Sequence, residues 1–475
     1  MRIDLRSVAI AALLFVGVAG APIAASAGVP SGELWVKRYD GPRGAFDAAN
    51  ALVVSDDGTT VFVTGESQAS SGADDVDYAT VAYDATSGNR LWVRWYEGPG
   101  DPRDIARAMD VSPDGTTLFV TGRSGGSTPG PDFATVAYDV ATGATVWVRR
   151  YDGPGRHGRD AANAIGVSPD GTRVFVTGRS MGSGGAAYAT LAYAADTGTR
   201  LWVERYDGPD GRPDAAQALA VIPDGRAVAV TGVSEGVGHD FATLAYDADT
   251  GARLWVTRYD GPDHGSDLAA DVGVSPNGAG VFTTGYSTGG NHGAAYTTVA
   301  YEADSGAERW ATRYDGPADL GDAASALVVS PDGAAVFVTG FSSTTLLDVD
   351  YATVGYDSAT GEELWATRYD GPANGNDLAN AIGMSPDGSR VVVTGVSVGP
   401  GTDTDYATLT YDAAGGDELG AFRYDGPRGG HDTGSALGVG PDGARVFVTG
   451  YSAGPGSSRD YATVAYGIPW TIRET

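Results

Sequence analysis

Residues Ala245–Pro262 read AYDADTGARLWVTRYDGP, and this stretch recurs with small changes along almost the whole chain. A tryptophan marks each copy: Trp35, Trp92, Trp147, Trp202, Trp255, Trp310 and Trp365. The interval between successive tryptophans is nearly constant, and Gly420 takes the eighth place one interval after Trp365. A repeat of this length with four strand-like segments is typical of a large β-propeller blade.

The fifth repeat shows how one unit divides. We predict strand A at Asp267–Ser275, strand B at Gly280–Gly285, strand C at Tyr296–Glu302 and strand D at Arg309–Tyr314. Alternating apolar and β-branched residues favour the strands, and Gly, Asp, Asn and Pro between them favour tight turns. No segment after Ala27 has a sustained helical period.

Strands A, B and C occur eight times, but the last repeat breaks off after Tyr466 without a strand D. The missing strand lies at the other end of the chain, at Glu33–Tyr39 (ELWVKRY). Pairing of this segment with the last blade would close the ring and leave no unpaired edge. The sequence therefore predicts an all-β, eight-bladed propeller of four-stranded antiparallel blades, with strand A innermost.

The segment Met1–Ala27 has the pattern of a secretory signal, with Arg2 and Arg6 before an apolar run and Ala25-Ser26-Ala27 at its end. We therefore expect residues 28–475 to form one exported propeller domain, monomeric and either periplasmic or extracellular. The formal charge is −29, and removal of Arg2, Arg6 and Asp4 with the signal makes it about −30. This charge disfavours nucleic acid and membrane surfaces as partners, and it favours cations or a basic protein.

The turn and tryptophan, Ala-Tyr-Asp-x-x-Thr-Gly-x-x-x-Trp, stand at Ala137–Trp147 and again at Ala245–Trp255. This motif resembles the tryptophan-docking repeat of the quinoprotein dehydrogenase propellers, and Val167–Gly178 (VSPDGTRVFVTG) is similar to repeats of exported bacterial propellers. The resemblance covers nearly all of residues 28–475 and implies that each tryptophan packs between neighbouring blades. For the alternative that the chain is such a dehydrogenase, the resemblance implies pyrroloquinoline quinone and Ca²⁺ as cofactors.

The chain departs from the alcohol-oxidising quinoproteins in ways that bear on function. It has no cysteine and therefore lacks their adjacent cysteine pair, and no distinctive insertion carries calcium ligands or a catalytic aspartate. The blades are nearly alike, whereas an enzyme needs a set of residues that breaks the repeat. The sequence gives no catalytic residue.

Two sets of aspartates recur with the blades. The first set opens strand A: Asp47, Asp104, Asp160, Asp214, Asp267, Asp322, Asp377 and Asp432. The second precedes strand C, with Ala187 and Ala295 interrupting it: Asp77, Asp132, Asp240, Asp350, Asp405 and Asp460. Crowded carboxylates at the channel mouth would favour a bound cation such as Ca²⁺. Alternatively, each aspartate accepts backbone N–H bonds and holds a repeated loop.

The histidines break the repeat, and all five fall in loops of one face. His239, His264 and His292 belong to neighbouring blades and are a candidate metal site with Asp240 or Asp267. Polar residues gather in loops in any case, and no short ligand spacing supports the site.

Three functions follow from these observations. The leading hypothesis is a non-catalytic exported propeller whose variable D–A and B–C loops bind a protein, a glycan or a cation. The alternative is a dehydrogenase that uses pyrroloquinoline quinone and Ca²⁺ to oxidise alcohols or sugars. A hydrolase or lyase acting on polysaccharide is a third hypothesis, but it would need one acid pair among many equivalent acids.

Overall fold

The computed structural model describes residues 32–68, 75–100, 103–126, 130–155, 158–209, 211–236, 238–289, 292–318, 320–345, 348–401, 403–454 and 459–468. The predicted signal segment lies outside the described residues. Within them the chain forms 32 strands and one short 3₁₀ turn at Pro262–His264. No helix in these ranges is long and apolar enough to cross a bilayer.

The strands form eight four-stranded antiparallel sheets, so the predicted eight-bladed propeller is confirmed. Blades 1 and 2 consist of β2 Asp47–Val54, β3 Thr60–Gln68, β4 Val76–Asp84, β5 Arg90–Tyr96, β6 Ile105–Val111, β7 Thr117–Gly125, β8 Pro131–Asp139 and β9 Thr145–Tyr151. Blades 3 and 4 consist of β10 Ala161–Val167, β11 Arg173–Met181, β12 Ala186–Ala194, β13 Arg200–Tyr206, β14 Asp214–Val221, β15 Ala227–Glu235, β16 His239–Asp247 and β17 Arg253–Tyr259.

Blades 5 and 6 consist of β18 Asp267–Val274, β19 Gly280–Gly289, β20 His292–Glu302, β21 Glu308–Tyr314, β22 Asp322–Val329, β23 Ala335–Thr345, β24 Asp348–Asp357 and β25 Glu363–Tyr369. Blades 7 and 8 consist of β26 Leu378–Met384, β27 Arg390–Val398, β28 Thr404–Asp412, β29 Glu418–Tyr424, β30 Thr433–Val439, β31 Arg445–Ser452, β32 Asp460–Gly467 and β1 Gly32–Tyr39. Strands β19 and β20 run further than predicted, because Thr288 still pairs with Ala294 in the Gly- and Ser-rich segment.

Closure of the ring by the N-terminal strand is also confirmed. Strand β1 pairs antiparallel with β32, from Gly32 opposite Gly467 to Tyr39 opposite Tyr461. Strands A lie innermost and side by side, since Asn50 Nδ2 donates to the Ala106 carbonyl of the next strand A at 2.9 Å. The D–A and B–C loops therefore share one end of the ring, which we call the loop face.

Each docking tryptophan fastens one blade to the next. The ring of Trp147 packs against Phe119 of its own blade and Tyr193 of the next, with centroids 5.7 and 6.1 Å away. Its Nε1 donates to the Ala195 carbonyl at 2.8 Å, and all seven tryptophans make the equivalent bond. The turn of the next blade needs glycine here: Gly251 has φ +74°, and a Cβ would lie 2.7 Å from the ring of Trp202.

Blade 7 fills the place of its missing tryptophan in another way. Gly420 stands at the docking position, and the ring of Phe422, two residues on, stacks on Tyr466 of blade 8. The centroids are 5.0 Å apart with an interplanar angle of 25°. An aromatic ring from the same strand thus restores the contact between the blades, but it comes from a residue two positions after the docking position.

Candidate functional site

The first set of aspartates lies under the loop face, and every member is buried. Asp104 shows the arrangement: Oδ2 accepts the N–H of Gly98 at 2.7 Å, and Oδ1 accepts the N–H of Gly125 at 2.9 Å. All eight members accept the corresponding N–H from the glycine of the D–A loop at 2.5–2.8 Å. Each carboxylate therefore ties the start of a D–A loop, and in most blades also the end of strand B, to the start of strand A.

Burial and hydrogen bonding act in opposite directions on the pKa of Asp47. Burial raises the pKa of Asp47 to about 6, while the nearby Ser67 hydroxyl and the hydrogen bond from the Gly41 N–H lower it. The charges that raise it further belong to Asp40 and Asp460 at the same blade junction. The hydrogen bond from Gly41 agrees with the structural alternative for Asp47, while its proximity to Asp40 and Asp460 keeps the cation site open as well.

At five blade junctions three aspartates from different segments come together. One precedes strand C, one belongs to the Asp-Gly-Pro loop and one opens the next strand A, and one oxygen from each lies within 4.8 Å of the others. The groups are Asp460–Asp40–Asp47, Asp132–Asp152–Asp160, Asp240–Asp260–Asp267, Asp350–Asp370–Asp377 and Asp405–Asp425–Asp432. Oxygen ligands around one Ca²⁺ have such a spacing, so the cation site stays a prediction for these junctions.

An arginine of strand D enters each of these five groups. Arg423 Nη2 donates to Asp405 Oδ2 at 2.7 Å, while its Nη1 donates to Ser397 Oγ and to Tyr369 of the preceding blade. The five pairs, with nitrogen–oxygen distances of 2.5–3.0 Å, are Arg38–Asp460, Arg150–Asp132, Arg258–Asp240, Arg368–Asp350 and Arg423–Asp405. A guanidinium already compensates part of the charge that a cation would balance.

Three blades lack this ion pair, and each lacks it for a reason visible in the sequence. In blades 3 and 5 the arginine is present, but Ala187 and Ala295 replace its aspartate. In blade 1 the aspartate, Asp77, is present, but Trp95 replaces the arginine. The Trp95 Nε1 donates to Tyr39 of blade 8 at 2.8 Å and so takes over only one of the bonds that the guanidinium makes elsewhere.

Asp77 is consequently a buried carboxyl that has no cationic partner among the described residues. Burial, followed by the charges of Asp104, Glu97 and Asp75, raises its pKa to about 7. Its counterpart Asp132 has a pKa that burial also raises, but there Arg150 opposes the shift.

We expect Trp95→Arg to stabilise the protein in a pH-dependent way. In the wild type, the folded pKa of Asp77 lies above the value of about 3.9 in an unfolded chain, so stability from this group is complete below pH ~4 and is lost as the pH rises to ~7. The new arginine would lower the folded pKa and remove that loss. The melting temperature of the variant should therefore exceed the wild type more at pH 8 than at pH 4.

The double variant Trp95→Arg, Asp77→Ala is the matched control, because blades 3 and 5 already combine an arginine with alanine. The double variant is compared with Asp77→Ala alone, since Asp77→Ala by itself removes the pH-dependent loss. A gain of equal size at both pH values, or the same pH-dependent gain from Trp95→Arg in the Asp77→Ala background, would contradict the assignment.

Two of the three histidines in the predicted metal group have an acidic partner of their own. The His239 Nε2 lies 3.1 Å from Glu235 Oε1, and the His264 Nδ1 lies 2.5 Å from Asp260 Oδ2. Asp260 belongs to one of the five aspartate groups, so His264 reaches the edge of a candidate cation site. The side chain of His292 lies outside the described residues, and the metal site formed by the three histidines stays a prediction.

Sequence reasoning missed two acids on strand A, because they occur once each and not with the repeat. Asp110 Oδ2 accepts the N–H of Val167 at 2.8 Å, and Asp271 Oδ2 accepts the N–H of Leu327 at 2.9 Å. Burial raises the pKa of each to about 7. Each bond joins strand A of one blade to strand A of the next, so both acids act as links between blades.

The comparisons with known proteins agree with this architecture. A PQQ-like repeat model, described as the outer membrane protein assembly factor BamB, matches residues 11–231 and, in an overlapping match, residues 77–289. Among curated protein sequences none matches.

Several solved structures have a similar fold. Sqt1 from Chaetomium thermophilum, bound to the N-terminus of ribosomal protein L10, is 15% identical over 91% of this chain and 98% of its own, with a TM-score of 0.59. BamB from Moraxella catarrhalis is 15% identical over 91% and 99%, with a TM-score of 0.52. The quinohemoprotein alcohol dehydrogenase of Comamonas testosteroni is 13% identical over 93% and 77%, with a TM-score of 0.53. At these identities the likeness concerns the fold alone.

Proposed function

We propose that this chain, which belongs to the family of the outer membrane protein assembly factor BamB, is an exported, non-catalytic scaffold that binds another protein through its loop face. The observation that carries the proposal is that the repeated aspartates are engaged in hydrogen bonds and ion pairs within the protein. Each aspartate of the first set accepts a backbone N–H of a D–A loop, and five of the second set pair with arginine. The abundant carboxylates thus serve to fix loops.

Loops of varied sequence that are anchored by hydrogen bonds are suited to recognition, because anchoring reduces the conformational entropy that is lost on binding. The opposite face is uniform by contrast. There a serine, an aspartate and the following backbone N–H groups form the same turn in most blades, as in Ser112, Asp114 and Thr116. The propeller Sqt1, which is bound to the N-terminus of L10, supports the idea that such a ring can hold a segment of another protein.

The described residues fit a calcium-bound quinone poorly. The first set of aspartates already accepts backbone N–H bonds, the chain has no cysteine, and Asp110 and Asp271 are engaged between strands. Dye-linked oxidation of alcohols and sugars after incubation with pyrroloquinoline quinone and Ca²⁺ tests this alternative, and turnover that depends on both additives would favour it over the scaffold.

We expect photo-cross-linking in the cells that make the protein to distinguish the two faces. A cross-linking amino acid would replace His431 or Asn374 in D–A loops, and Asp249 or Asp304 on the opposite face serves as the control, since all four side chains are exposed. Discrete adducts with the same protein should form from the loop face alone, because only that face presents varied side chains. Absence of loop-face adducts, or equal yields from both faces, would count against the scaffold.

A further inference from the structure

One position of strand B varies while its neighbours do not. All eight blades contain Thr-Gly-x-Ser at the end of strand B nearest the loop face. The variable residues, which we call the rim set, are, in blade order, Glu66, Arg123, Arg179, Val233, Tyr286, Phe341, Val396 and Tyr451. Packing explains why the glycine of this motif does not vary. A Cβ on Gly65 would lie 2.9 Å or less from the Ala48 and Ala49 backbone.

The rim set lies on the two innermost strands, at their loop-face end. Glu66 pairs with Ala48, and Tyr286 pairs with Leu268, which are the second residues of their strands A. The other six members have the same register. Arg179 is exposed, and the other seven side chains are half-buried. The set therefore forms a ring of partly accessible side chains around the axis.

This ring is divided by chemistry. Its members in blades 1 to 3 are charged, and those in blades 4 to 8 are all apolar or aromatic. A contiguous arc of each kind differs from the scatter expected if the position were merely tolerant of change. Tyr286, Phe341 and Tyr451 leave part of their ring surface in contact with water, and a partner that covers them would gain free energy.

The charged arc is predominantly basic, although the whole chain is strongly acidic. We call its members Arg123 and Arg179, with the nearby Arg103, Arg107 and Arg459, the basic arc. Arg123, Arg103, Arg107 and Arg459 all act on the one carboxylate of Glu66 and oppose the upward shift of its pKa that burial causes. Arg107 donates to Asn163 of blade 3 across the channel wall. Arg459 lies over the ring of Tyr451, with its central carbon 4.2 Å from the ring centroid, so the basic and aromatic arcs meet there.

An acidic surface limits which anion can reach this place. With a formal charge of −29 the protein repels long polyanions such as nucleic acid and also repels anionic membrane. A short acidic group on a slender chain can instead approach along the axis, where the guanidinium groups attract it. A polypeptide segment satisfies this condition and can bring an apolar side chain to the neighbouring arc.

We propose that the rim set binds an acidic segment of a partner protein, with carboxylates against the basic arc and an adjacent aromatic or aliphatic side chain against Tyr451, where the two arcs meet. The inference rests on the proposed scaffold function and specifies its site and the chemistry of its partner.

The test uses the full chain without its signal and a display library of short random peptides. Selected peptides should combine Asp or Glu with a neighbouring aromatic or aliphatic residue. A synthetic copy of the best peptide should bind at least ~10-fold more tightly than its Asn and Gln analogue, and added salt should weaken it. Arg123→Gln, and separately the exposed Arg179→Gln, should each weaken binding by ~10-fold.

Arg226→Gln, on the opposite face, is the matched control and should bind like the wild type. Equal binding of the neutral analogue, equal loss in the Arg226 variant, or binding of an acidic polysaccharide but of no peptide would each overturn the inference. Cross-linking separates the two proposals. A loop-face adduct that persists in both Arg123→Gln and Tyr451→Ser would contradict the rim site alone, whereas the absence of any loop-face adduct would contradict the scaffold function.

Discussion

Deletion of residues 28–39 should abolish the native ring, which is the largest effect we expect from any single change. The deletion removes β1, the outer strand of blade 8, and with it Trp35, whose Nε1 bonds to the Ala85 carbonyl of blade 1. It also removes Arg38, the partner of Asp460. Loss of one buried tryptophan costs ~3–5 kcal/mol, and a whole domain is stable by only ~5–15 kcal/mol. Strand β32 would also become an unpaired edge.

We expect the shortened chain to aggregate or to lose its cooperative melting transition, as measured by circular dichroism and size-exclusion chromatography. A chain that begins at Gly32 is the control and should melt like residues 28–475. A permuted chain is the sharper comparison: it begins at Asp40 and carries Glu33–Tyr39 after Tyr466, joined by the C–D turn of another blade. It should keep the wild-type melting temperature, because closure depends on the strand and not on the order of the chain. An unstable permutant, or a stable deletion, would contradict this account of closure.

Trp147→Ala should lower the free energy of unfolding by ~3–5 kcal/mol. The side chain is 5% exposed and packs between Phe119 and Tyr193. Its removal leaves a cavity between blades 2 and 3 and deprives the Ala195 carbonyl of its donor. Denaturant titration followed by fluorescence or circular dichroism measures the effect. The adjacent Val146→Ala is the control and should change little, since Val146 is 51% exposed.

Blade 7 supplies a rescue for this variant. Arg149 occupies in blade 2 the place that Phe422 occupies in blade 7, and Phe422 stacks on Tyr466 where tryptophan is missing. Trp147→Gly combined with Arg149→Phe should therefore be more stable than Trp147→Gly alone. If the second change gave no recovery, the stacking of Phe422 would not explain why Gly420 is tolerated.

Most of the fold could be predicted from the sequence, because the same pattern of strands and turns occurs eight times along the chain. Strand limits were less accurate near the loop face, where β19 and β20 continue through Gly- and Ser-rich residues. Backbone pairing needs no apolar side chain, so a prediction based on apolar alternation ends such strands too early.

The candidate site was predicted less well. The aspartates were visible because they recur, but the choice between ligand and loop anchor depends on which N–H groups lie near their oxygens. The arginines of strand D recur too, in the segment Trp-x-x-Arg-Tyr, and the exception at Trp95 could have been noticed. The pairing of these arginines with the second aspartate set was missed. Arg150 and Asp132 lie 18 residues apart on neighbouring strands, and the ion pair depends on the direction in which the arginine side chain extends along the sheet.

By itself the sequence determined the number of blades, the closing strand and the place of the docking tryptophans, because spacing and periodicity are properties of the chain. Only the tertiary structure decided how those parts use their polar groups. It showed that buried carboxylates hold loops, that Phe422 replaces a tryptophan two residues away, and that one residue of each strand B lies at the same position of its blade around the axis. Contacts between blades join residues from successive repeats, as Trp147 and Ala195 do, and such contacts follow from ring geometry and not from any local pattern.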